Sequence, residues 1–338
     1  MSVLITGMGA VGANVGRKFI DEGYPVIFYD LIPRKLDFLV EVSDKWKFVC
    51  GDVSDAVFIL ETVRRHGITG IVHTALPPRD LEHPDLYFRR SVEATQDILE
   101  VARLEKLKLI FLSSNAVYGY RPDETPMREE DRVPGERIPP GPYMAMYVAT
   151  KLSSEMLLTM YDTLYGLDVV TLRTSWVYGP ADTHNYYPLC FLTYALHGEH
   201  LKLPSGGDHV TNYTFSDDVA NGVFLAYTVR PLKHRLFNIT SGRLVSAREL
   251  AEAVKKIIPE AEIELGPGEM EVGLGRLDRH DLQKGLMDIS RAKEELGYQT
   301  TPLEEGLRKT VEWWKKQKRI PLQDPDLTFL PREFWEPN

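Results

Sequence analysis

The stretch Val3-Leu4-Ile5-Thr6-Gly7-Met8-Gly9-Ala10-Val11-Gly12 decides the fold of this 338-residue chain. A short β-branched run leads into glycines spaced G-x-G-x-x-G, and the pattern that follows predicts a helix from about Ala10 to Glu22. A second apolar run, Val26 to Tyr29, ends on Asp30. Strand, glycines, helix, strand and terminal Asp occur in this order within one βαβ length, which is typical of a dinucleotide-binding turn.

Each glycine of this turn has its own expected role. Gly7 allows the tight turn, Gly9 lets a pyrophosphate approach the backbone, and Gly12 lets the helix pack closely on the strand. The phosphates are expected at the helix N-terminus, at Ala10 and Val11, because free N–H groups and the helix dipole favour negative charge there. A glycine-rich turn that binds nothing is the alternative.

Asp30 predicts which dinucleotide is bound. Its carboxylate can accept hydrogen bonds from both hydroxyls of an adenosine ribose, and it would repel a 2′-phosphate. The sequence therefore favours NAD over NADP, with Arg34 as a partial counter-charge to a 2′-phosphate.

Composition and charge narrow the class of protein. The chain is 43% apolar, which suffices for one large α/β unit and a smaller lobe. Its net charge of −9, without any block of Lys and Arg, argues against nucleic acid as a partner. No apolar run approaches the ~18 residues of a membrane span, and the first strand leaves no room for a signal peptide. Cys50 and Cys190 show no metal-binding spacing, so we expect no metal and a cytoplasmic, reducing location.

Strand-like and helix-like segments alternate through the first two thirds of the chain. This alternation predicts an α/β fold with a Rossmann-type doubly wound parallel sheet. Ligands of such sheets bind beyond the carboxyl ends of the strands, so the residues that follow each apolar run are expected to form the site. We predict a Rossmann domain over 1–180, a smaller α+β substrate lobe mainly over 181–322, with some segments free to return to the sheet, and a tail over 323–338.

The segment from Arg121 to Pro142 interrupts this alternation with many prolines and charges. We expect it to be an exposed loop that borders the active site, and a plain surface loop is an equally open alternative. The tail is expected to pack on the body of the protein or on a second subunit.

Tyr147-Val148-Ala149-Thr150-Lys151 indicates the chemistry. Tyr and Lys at i and i+4 share one face of a helix, so the ammonium of Lys151 is expected near the Tyr147 phenol, where it favours the phenolate. A phenol, whose ordinary pKa is about 10, then becomes a usable base near neutral pH. Lys151 is also expected to reach the nicotinamide ribose. No other tyrosine of the chain has a lysine four residues later. A surface pair is the alternative.

The run from Phe111 to Gly119 supplies a third group. Its two serines end a buried strand, where a hydroxyl can donate to a substrate oxygen and hold the carbon in line for hydride transfer. We assign the catalytic hydroxyl to Ser114 and keep Ser113 as the fallback and as a cofactor contact. Plain strand capping is the alternative.

On these residues the chain resembles the extended short-chain dehydrogenases/reductases of the sugar epimerase/dehydratase type. The resemblance covers nearly the whole chain. Besides the motifs above, it includes Gly51-Asp52-Val53, His73-Thr74-Ala75, Leu172-Arg173, Val177 to Pro180, Phe215 to Ala220, Asp288 to Lys293 and Leu296-Gly297-Tyr298. It implies that Ser114, Tyr147 and Lys151 form the catalytic triad.

The resemblance also implies a set of cofactor contacts and a mode of assembly. The expected contacts are Gly7, Gly9, Ala10, Val11, Gly12, Asp30, Asp52, Val53, Ala75, Ser113, Tyr147, Lys151, Thr174 and Val177. Among them, Asp52 and Val53 should flank the adenine and Ala75 should line the cofactor groove. The family commonly dimerises through a four-helix bundle, here built from helices at Val92 to Leu104 and Val148 to Tyr165. Their surplus of apolar residues predicts a homodimer.

Departures from the family pattern narrow the expected substrate. Asn115-Ala116 stands where dehydratases carry Asp-Glu, so the acid/base pair that eliminates water is missing. Trp176 stands where nucleotide-sugar enzymes usually have Asn, and Thr211 where they tend to have an Arg that grips a pyrophosphate. The loop Gly7-Met8-Gly9 is one residue shorter than usual.

We therefore expect an NAD-dependent oxidoreductase or epimerase that acts at a secondary hydroxyl of a sugar, sugar acid or polyol-like substrate. Its predicted substrate contacts are Ser114, Asn115, Trp176 and Thr211. A nucleotide-sugar epimerase is the alternative, with a phosphate contact from Arg276, Arg279 or His280. An alternative of another class is a non-catalytic, NAD-sensing interaction protein.

Overall fold

The computed structural model of the protein describes residues 2–77, 83–119, 125–131, 142–182, 187–269 and 285–317. In this part of the chain the strands are β1 (Ser2–Thr6), β2 (Val26–Asp30), β3 (Trp46–Cys50), β4 (Ile68–His73), β5 (Lys108–Ser114), β6 (Val169–Thr174), β7 (Trp176–Tyr178), β8 (Leu201–Leu203), β9 (Val210–Thr211), β10 (Tyr213–Phe215), β11 (Leu236–Ile239), β12 (Val245–Ser246) and β13 (Ile263–Leu265). The helices are α1 (Ala10–Asp21), α2 (Leu36–Leu39), α3 (Ala56–His66), α4 (Pro84–Glu105), α5 (Pro142–Tyr165), α6 (Tyr187–His197), α7 (Ser216–Thr228), α8 (Ala247–Ile257) and α9 (Leu303–Gln317).

Seven strands form the central sheet in the order β3-β2-β1-β4-β5-β6-β11. Every neighbouring pair in this sheet is parallel. The strand order reverses between β1 and β4, and this reversal opens a crevice at the carboxyl ends of the strands. The predicted Rossmann-type, doubly wound sheet is confirmed.

Both faces of the sheet are covered by helices, as continuous apolar strands require. On one face α1 and α7 pack against alternate strand residues such as Val3 and Ile5. On the other face α3, α4 and α5 pack against the intervening residues, such as Leu4. The inner strands are therefore buried on both sides, whereas the edge strand β3 is partly exposed.

A separate apolar cluster lies in the second half of the chain. It is formed mainly by α6, α8 and α9 with the short strands β8, β12 and β13. Some described parts of 181–322 lie elsewhere: β11 pairs with β6 in the main sheet, and α7 and the segment Ala292–Leu296 belong to the core next to α1. The division at residue 180 stays a prediction.

The described part of the segment from Arg121 to Pro142 is exposed, as expected, at Thr125, Pro126, Arg128 and Glu130, but two of its residues are buried. Met127 is fully buried and pairs with Met287, and Glu129 is only 6% exposed. The expectation of exposure is wrong for these residues because the Glu129 carboxylate accepts the Asn238 N–H (2.9 Å), which satisfies the charge inside the protein. The remainder of that loop, the predicted tail over 323–338, and Arg276, Arg279 and His280 lie outside the described residues.

The two helices expected to pair in a dimer are longer than predicted. They begin at Pro84 and Pro142 rather than at Val92 and Val148. A proline fits the first turn of a helix because the N–H it lacks has no intrahelical partner there. Among the described residues, no helix combines the length and the apolarity that a membrane span requires.

Candidate active site

The glycine turn after β1 has the geometry that a tight backbone approach demands. Gly7 has φ +88°, a conformation that residues with a side chain rarely adopt. A Cβ at this position would lie 2.8 Å from the Ala75 backbone. The Gly7 N–H donates to the Tyr29 carbonyl (2.9 Å), which ties the turn to β2. Gly7 therefore brings the loops after β1 and β4 together.

Gly9 and Gly12 differ in their surroundings. Gly9 precedes α1, and nothing lies within 4 Å of the place where its Cβ would be. A Cβ at Gly12 would instead collide with the Gly7 carbonyl oxygen. The backbone at Gly9 is thus open to a ligand. The neighbouring N–H groups of Ala10 and Val11 lie in the first turn of α1, where backbone N–H groups have no acceptor within the helix. A pyrophosphate fits this cradle in shape and in charge.

Asp30 ends β2 and its carboxylate is held by the glycine turn. Oδ2 accepts the Met8 N–H at 2.6 Å, and Oδ1 accepts the Leu31 N–H at 2.7 Å. These two backbone bonds fix the carboxylate beside the turn, and each oxygen keeps a further lone pair for a ribose hydroxyl. Its role as the ribose ligand stays a prediction.

The other predicted cofactor residues follow the ends of neighbouring strands. Asp52 and Val53 follow β3, Ala75 follows β4, Thr174 ends β6 and Val177 lies in β7. Asp52 is exposed, and its Oδ1 accepts the Ser54 N–H (2.9 Å) and hydroxyl (2.8 Å). The parallel sheet brings these residues to one edge, the edge that also carries the glycine turn.

Lys151 lies inside the protein, on the face of α5 that meets β5. It is 4% exposed, and its Nζ donates to the Leu112 carbonyl at 2.7 Å. Nζ also lies 4.8 Å from the ring centre of Phe111 and 5.9 Å from that of Tyr147. Burial lowers the pKa of Lys151 to about 7, and Glu155 opposes this shift. The predicted Tyr and Lys therefore share one face, as their spacing indicates.

The two serines at the end of β5 have different partners. Ser113 is buried, and its hydroxyl donates to Oε1 of Glu155 at 2.5 Å. Ser114 is half-buried, and its Oγ accepts the Ala116 N–H at 3.2 Å, which caps a short 3₁₀-helix over Asn115–Tyr118. The hydroxyl of Ser113 is committed inside the protein, so Ser114 is the better placed of the two to meet a substrate.

Three further residues were predicted to contact substrate. Asn115 is 5% exposed, and its Oδ1 lies 3.4 Å from the Ser114 hydroxyl. Trp176 is half-buried in β7, packs against the second apolar cluster and is in register with Tyr213 of β10. Thr211 is 5% exposed in β9. Asn115 adjoins Ser114, whereas Trp176 lies in β7, paired with β10, and Thr211 lies in β9, paired with β12.

Sequence reasoning missed a buried ion pair behind these residues. Arg173 donates from Nε to Oε1 of Glu155 (3.0 Å) and from Nη2 to Oε2 (2.7 Å). The Arg173 guanidinium also stacks on the Tyr118 ring, 4.6 Å from its centre. The available signal was the spacing of Glu155, four residues after Lys151 on the same helix face.

Comparison with known proteins agrees with this arrangement. The model of the NAD dependent epimerase/dehydratase family matches residues 3–240. The chain belongs to this family. It is an extended short-chain dehydrogenase/reductase and an NAD-dependent enzyme, as the glycine turn and the Tyr147–Lys151 pair predicted.

Individual family members match over almost their whole length. The UDP-glucose 4-epimerase of Mycolicibacterium smegmatis is 29% identical, with 94% of this chain and 100% of the relative covered. The UDP-glucuronate 4-epimerase of Thermodesulfobacterium geofontis is 25% identical, with 93% and 96% covered. The crystal structure of the Thermotoga maritima UDP-glucose 4-epimerase with UDP-glucose has a TM-score of 0.79 at 27% identity, with 94% and 100% covered.

Proposed function

We propose that this epimerase/dehydratase family member transfers a hydride at a secondary hydroxyl of a sugar, sugar acid or polyol-like substrate, with Tyr147 as the base. The observation that carries the proposal is the position of Lys151 Nζ. Nζ donates a hydrogen bond to the carbonyl of Leu112, two residues before Ser114, and it lies beside the Tyr147 ring. Lys151 thus lies beside Tyr147 and bonds the strand whose carboxyl end carries Ser114, which supports a site at that edge of the sheet.

In this mechanism each side chain has one task. The Tyr147 phenolate takes the proton of the substrate hydroxyl, and the Lys151 ammonium stabilises that phenolate. The Ser114 hydroxyl donates to the substrate oxygen and orients the carbon for reaction. NAD, held by the glycine turn and Asp30, supplies the hydride acceptor when bound. A returned hydride on the opposite face of the keto group would give epimerisation, and release of the ketone would give net oxidation.

The residue after Ser114 argues against a dehydratase. Elimination of water needs an additional acid and base close to the reacting carbons. Asn115 and Ala116 supply neither, because an amide and a methyl group do not exchange protons near neutral pH.

Two departures from the family's sequence pattern favour a substrate without a nucleoside diphosphate. Trp176 offers an indole face to a sugar ring, and Thr211 supplies no positive charge for a pyrophosphate. A charge-assisted hydrogen bond contributes about 1.5–3 kcal/mol, so its loss should weaken such a ligand roughly ten- to a hundredfold. A UDP-sugar 4-epimerase is the second candidate, and the activities of the two relatives named above favour it.

Calorimetric titration of the NAD-loaded protein distinguishes the two candidates. UDP-, GDP- and dTDP-sugars are compared with free sugars and sugar acids. We expect heat of binding from a free sugar or sugar acid and weak binding of nucleotide-sugars. Micromolar binding of a nucleoside diphosphate sugar would instead establish the second candidate. Mass spectrometry of cofactor released on denaturation adds the reaction type, since retained NAD indicates an epimerase and an empty site indicates a dehydrogenase.

Cofactor choice is tested separately. NADH should bind more tightly than NADPH, and Asp30→Ala should reduce the preference, because the carboxylate repels a 2′-phosphate. Tighter binding of NADPH by the unmodified protein would contradict the role of Asp30.

We also propose that the protein is a cytoplasmic homodimer. Its few cysteines fit a reducing compartment. Met156, Met160 and Leu164 form an exposed apolar stripe on α5, at a spacing that places them on one helix face. Packing of α4 and α5 against a second copy would cover this stripe.

A further inference from the structure

We propose that Glu155 is a positioning residue of this active site: its buried carboxylate serves as the counter-charge of Lys151 and fixes the end of β5 against the catalytic helix. The proposal rests on the proposed function for its mechanistic meaning, because it assigns a role to a group that supports the Tyr147–Lys151 pair.

The first observation is the place of Glu155 on α5. Tyr147, Lys151 and Glu155 follow one another at intervals of four residues, so they lie on one face of the helix. Lys151 and Glu155 are both buried, at 4% and 9% exposure. A buried cation is costly unless a negative charge and hydrogen-bond acceptors accompany it. Glu155 supplies that charge one turn from Lys151.

The second observation is the set of bonds that holds the carboxylate. Glu155 accepts the Ser113 hydroxyl and both the Nε and Nη2 groups of Arg173. It therefore joins α5 to β5 and to β6. Ser113 precedes the catalytic hydroxyl by one residue, so the same carboxylate that faces Lys151 also anchors the strand that presents Ser114. This connects the placement of the proton-transfer group with that of the substrate-orienting group.

The third observation concerns the charges around Lys151. On β4, His73 is buried and bonded to the Thr6 hydroxyl (2.7 Å), and burial together with Lys151 lowers the pKa of His73 to about 3. It is therefore neutral. On β6, Arg173 is engaged by Glu155, and its guanidinium is covered by the Tyr118 ring. On α5, Tyr147 lies beside Lys151, with its ring centre 5.9 Å from Nζ. Glu155 is thus the carboxylate that raises the pKa of Lys151 against burial.

The decisive experiment measures the titration of Lys151 without any substrate. The NAD-loaded protein is labelled with ¹³Cε-lysine, and the Lys151 signal is assigned by its absence in Lys151→Met. In Glu155→Gln, loss of the opposite charge should move the Lys151 midpoint to lower pH by about one unit or more. In Glu155→Asp, which keeps the negative charge, the Lys151 midpoint should return most of the way to its wild-type value. A Lys151 midpoint unchanged in folded Glu155→Gln would overturn the proposal.

A matched control tests whether the shift in the Lys151 midpoint is specific to Glu155 or follows from the loss of any Glu–Arg ion pair. Glu100 also accepts from a guanidinium, that of Arg103 (2.7 Å), and from the Tyr161 hydroxyl, but it lies at the surface. Glu100→Gln should leave the Lys151 midpoint in place. An equal shift in Glu100→Gln would show that the effect is not specific to Glu155.

A second variant covers the case in which Glu155→Gln does not fold. Glu155→Gln combined with Arg173→Met removes both partners of the ion pair and leaves no unpaired guanidinium. It still removes the carboxylate beside Lys151, so the midpoint should again fall, and an unshifted midpoint counts against the proposal. Because none of these titrations uses a substrate, failure to find sugar turnover would overturn the proposed function and leave this result standing. Once a substrate is known, the alkaline limb of the kcat profile should move to lower pH with Lys151.

Discussion

Both faces of α5 depart in part from the usual distribution of side chains. The inner face, which meets the sheet, buries the charged pair Lys151 and Glu155. The outer face exposes Met156, Met160 and Leu164, whose exposed fractions are 68%, 41% and 63%. In an ordinary amphipathic helix the charges lie outside and the apolar residues inside. Apolar residues such as Leu158 also lie on the inner face, so the buried charges and the exposed apolar residues are the two exceptions, and they indicate that each face of α5 has a role besides the stability of one subunit.

The unfavourable free energy of these side chains is offset differently on the two faces of α5. On the inner face each charge has a partner within the chain: Lys151 donates to the Leu112 carbonyl, and Glu155 accepts from Ser113 and Arg173. On the outer face the apolar side chains are exposed, and the proposed dimer would cover them. The inner face should therefore respond to substitution with changes in chemistry, and the outer face with changes in assembly.

The largest effect is expected at the inner face, from Tyr147→Phe. Loss of the phenol removes the base, so turnover should fall by ~10²–10⁴-fold while the affinity for NAD changes little. Steady-state kinetics on the substrate found by calorimetry, with a parallel NADH titration, measures both quantities. Tyr143→Phe, the same substitution one turn earlier, is the control. Near-normal turnover in Tyr147→Phe together with an inactive Tyr143→Phe would mean that the wrong tyrosine has been assigned.

At the outer face, Met156→Lys combined with Met160→Lys should disrupt the proposed dimer. Two like charges facing their symmetry copies, in place of apolar contacts, should raise the dissociation constant about a hundredfold. Sedimentation equilibrium over a range of concentrations measures this change. Val57→Lys on α3 is a matched control, because Val57 is equally exposed, at 69%, but lies on a different helix. A wild-type protein that stays monomeric at high concentration would contradict the proposed role of the outer face in dimerisation.

The smallest effect is a gain in stability from Lys151→Met. The folded protein holds the pKa of Lys151 at about 7, below its ordinary value of 10.5, because burial disfavours the charged form. Between these two values the unfolded chain binds a proton that the folded protein does not, so wild-type stability rises with pH through this window. Lys151→Met should therefore raise the free energy of unfolding by about 1–3 kcal/mol below pH 7, and the gain should fade towards pH 10.

Urea unfolding at about pH 6 and about pH 9 compares the variant with wild type under both conditions. Lys202→Met, at an exposed lysine of β8, should change stability by less than about 0.5 kcal/mol at either pH. A Lys151→Met protein that is less stable than wild type at the lower pH would show that the buried ammonium is fully compensated by its partners.

The sequence predicted the features of the site that depend on short spacings. The glycines of the β1–α1 turn and the Tyr147–Lys151 pair lie within a few residues of each other, and local geometry follows directly from such spacing. It did not indicate which serine is committed inside the protein. That depends on a contact between Ser113 and Glu155, which are 42 residues apart. The burial of Glu129 likewise depends on Asn238, 109 residues further along the chain.

By itself, the sequence determined the parallel α/β order and the cofactor turn, and it singled out Tyr147 as the proposed base, because hydrophobic period and residue spacing are local properties. The tertiary structure alone decided that β11 joins β6, that Met127 and Glu129 are buried, and that Glu155 lies between the active-site strand and Arg173. These features arise from contacts between distant segments, and such contacts form only when the sheet brings its strand ends together. For this reason the proposed catalytic residues could be read from the sequence, whereas the contacts of Glu155 could not.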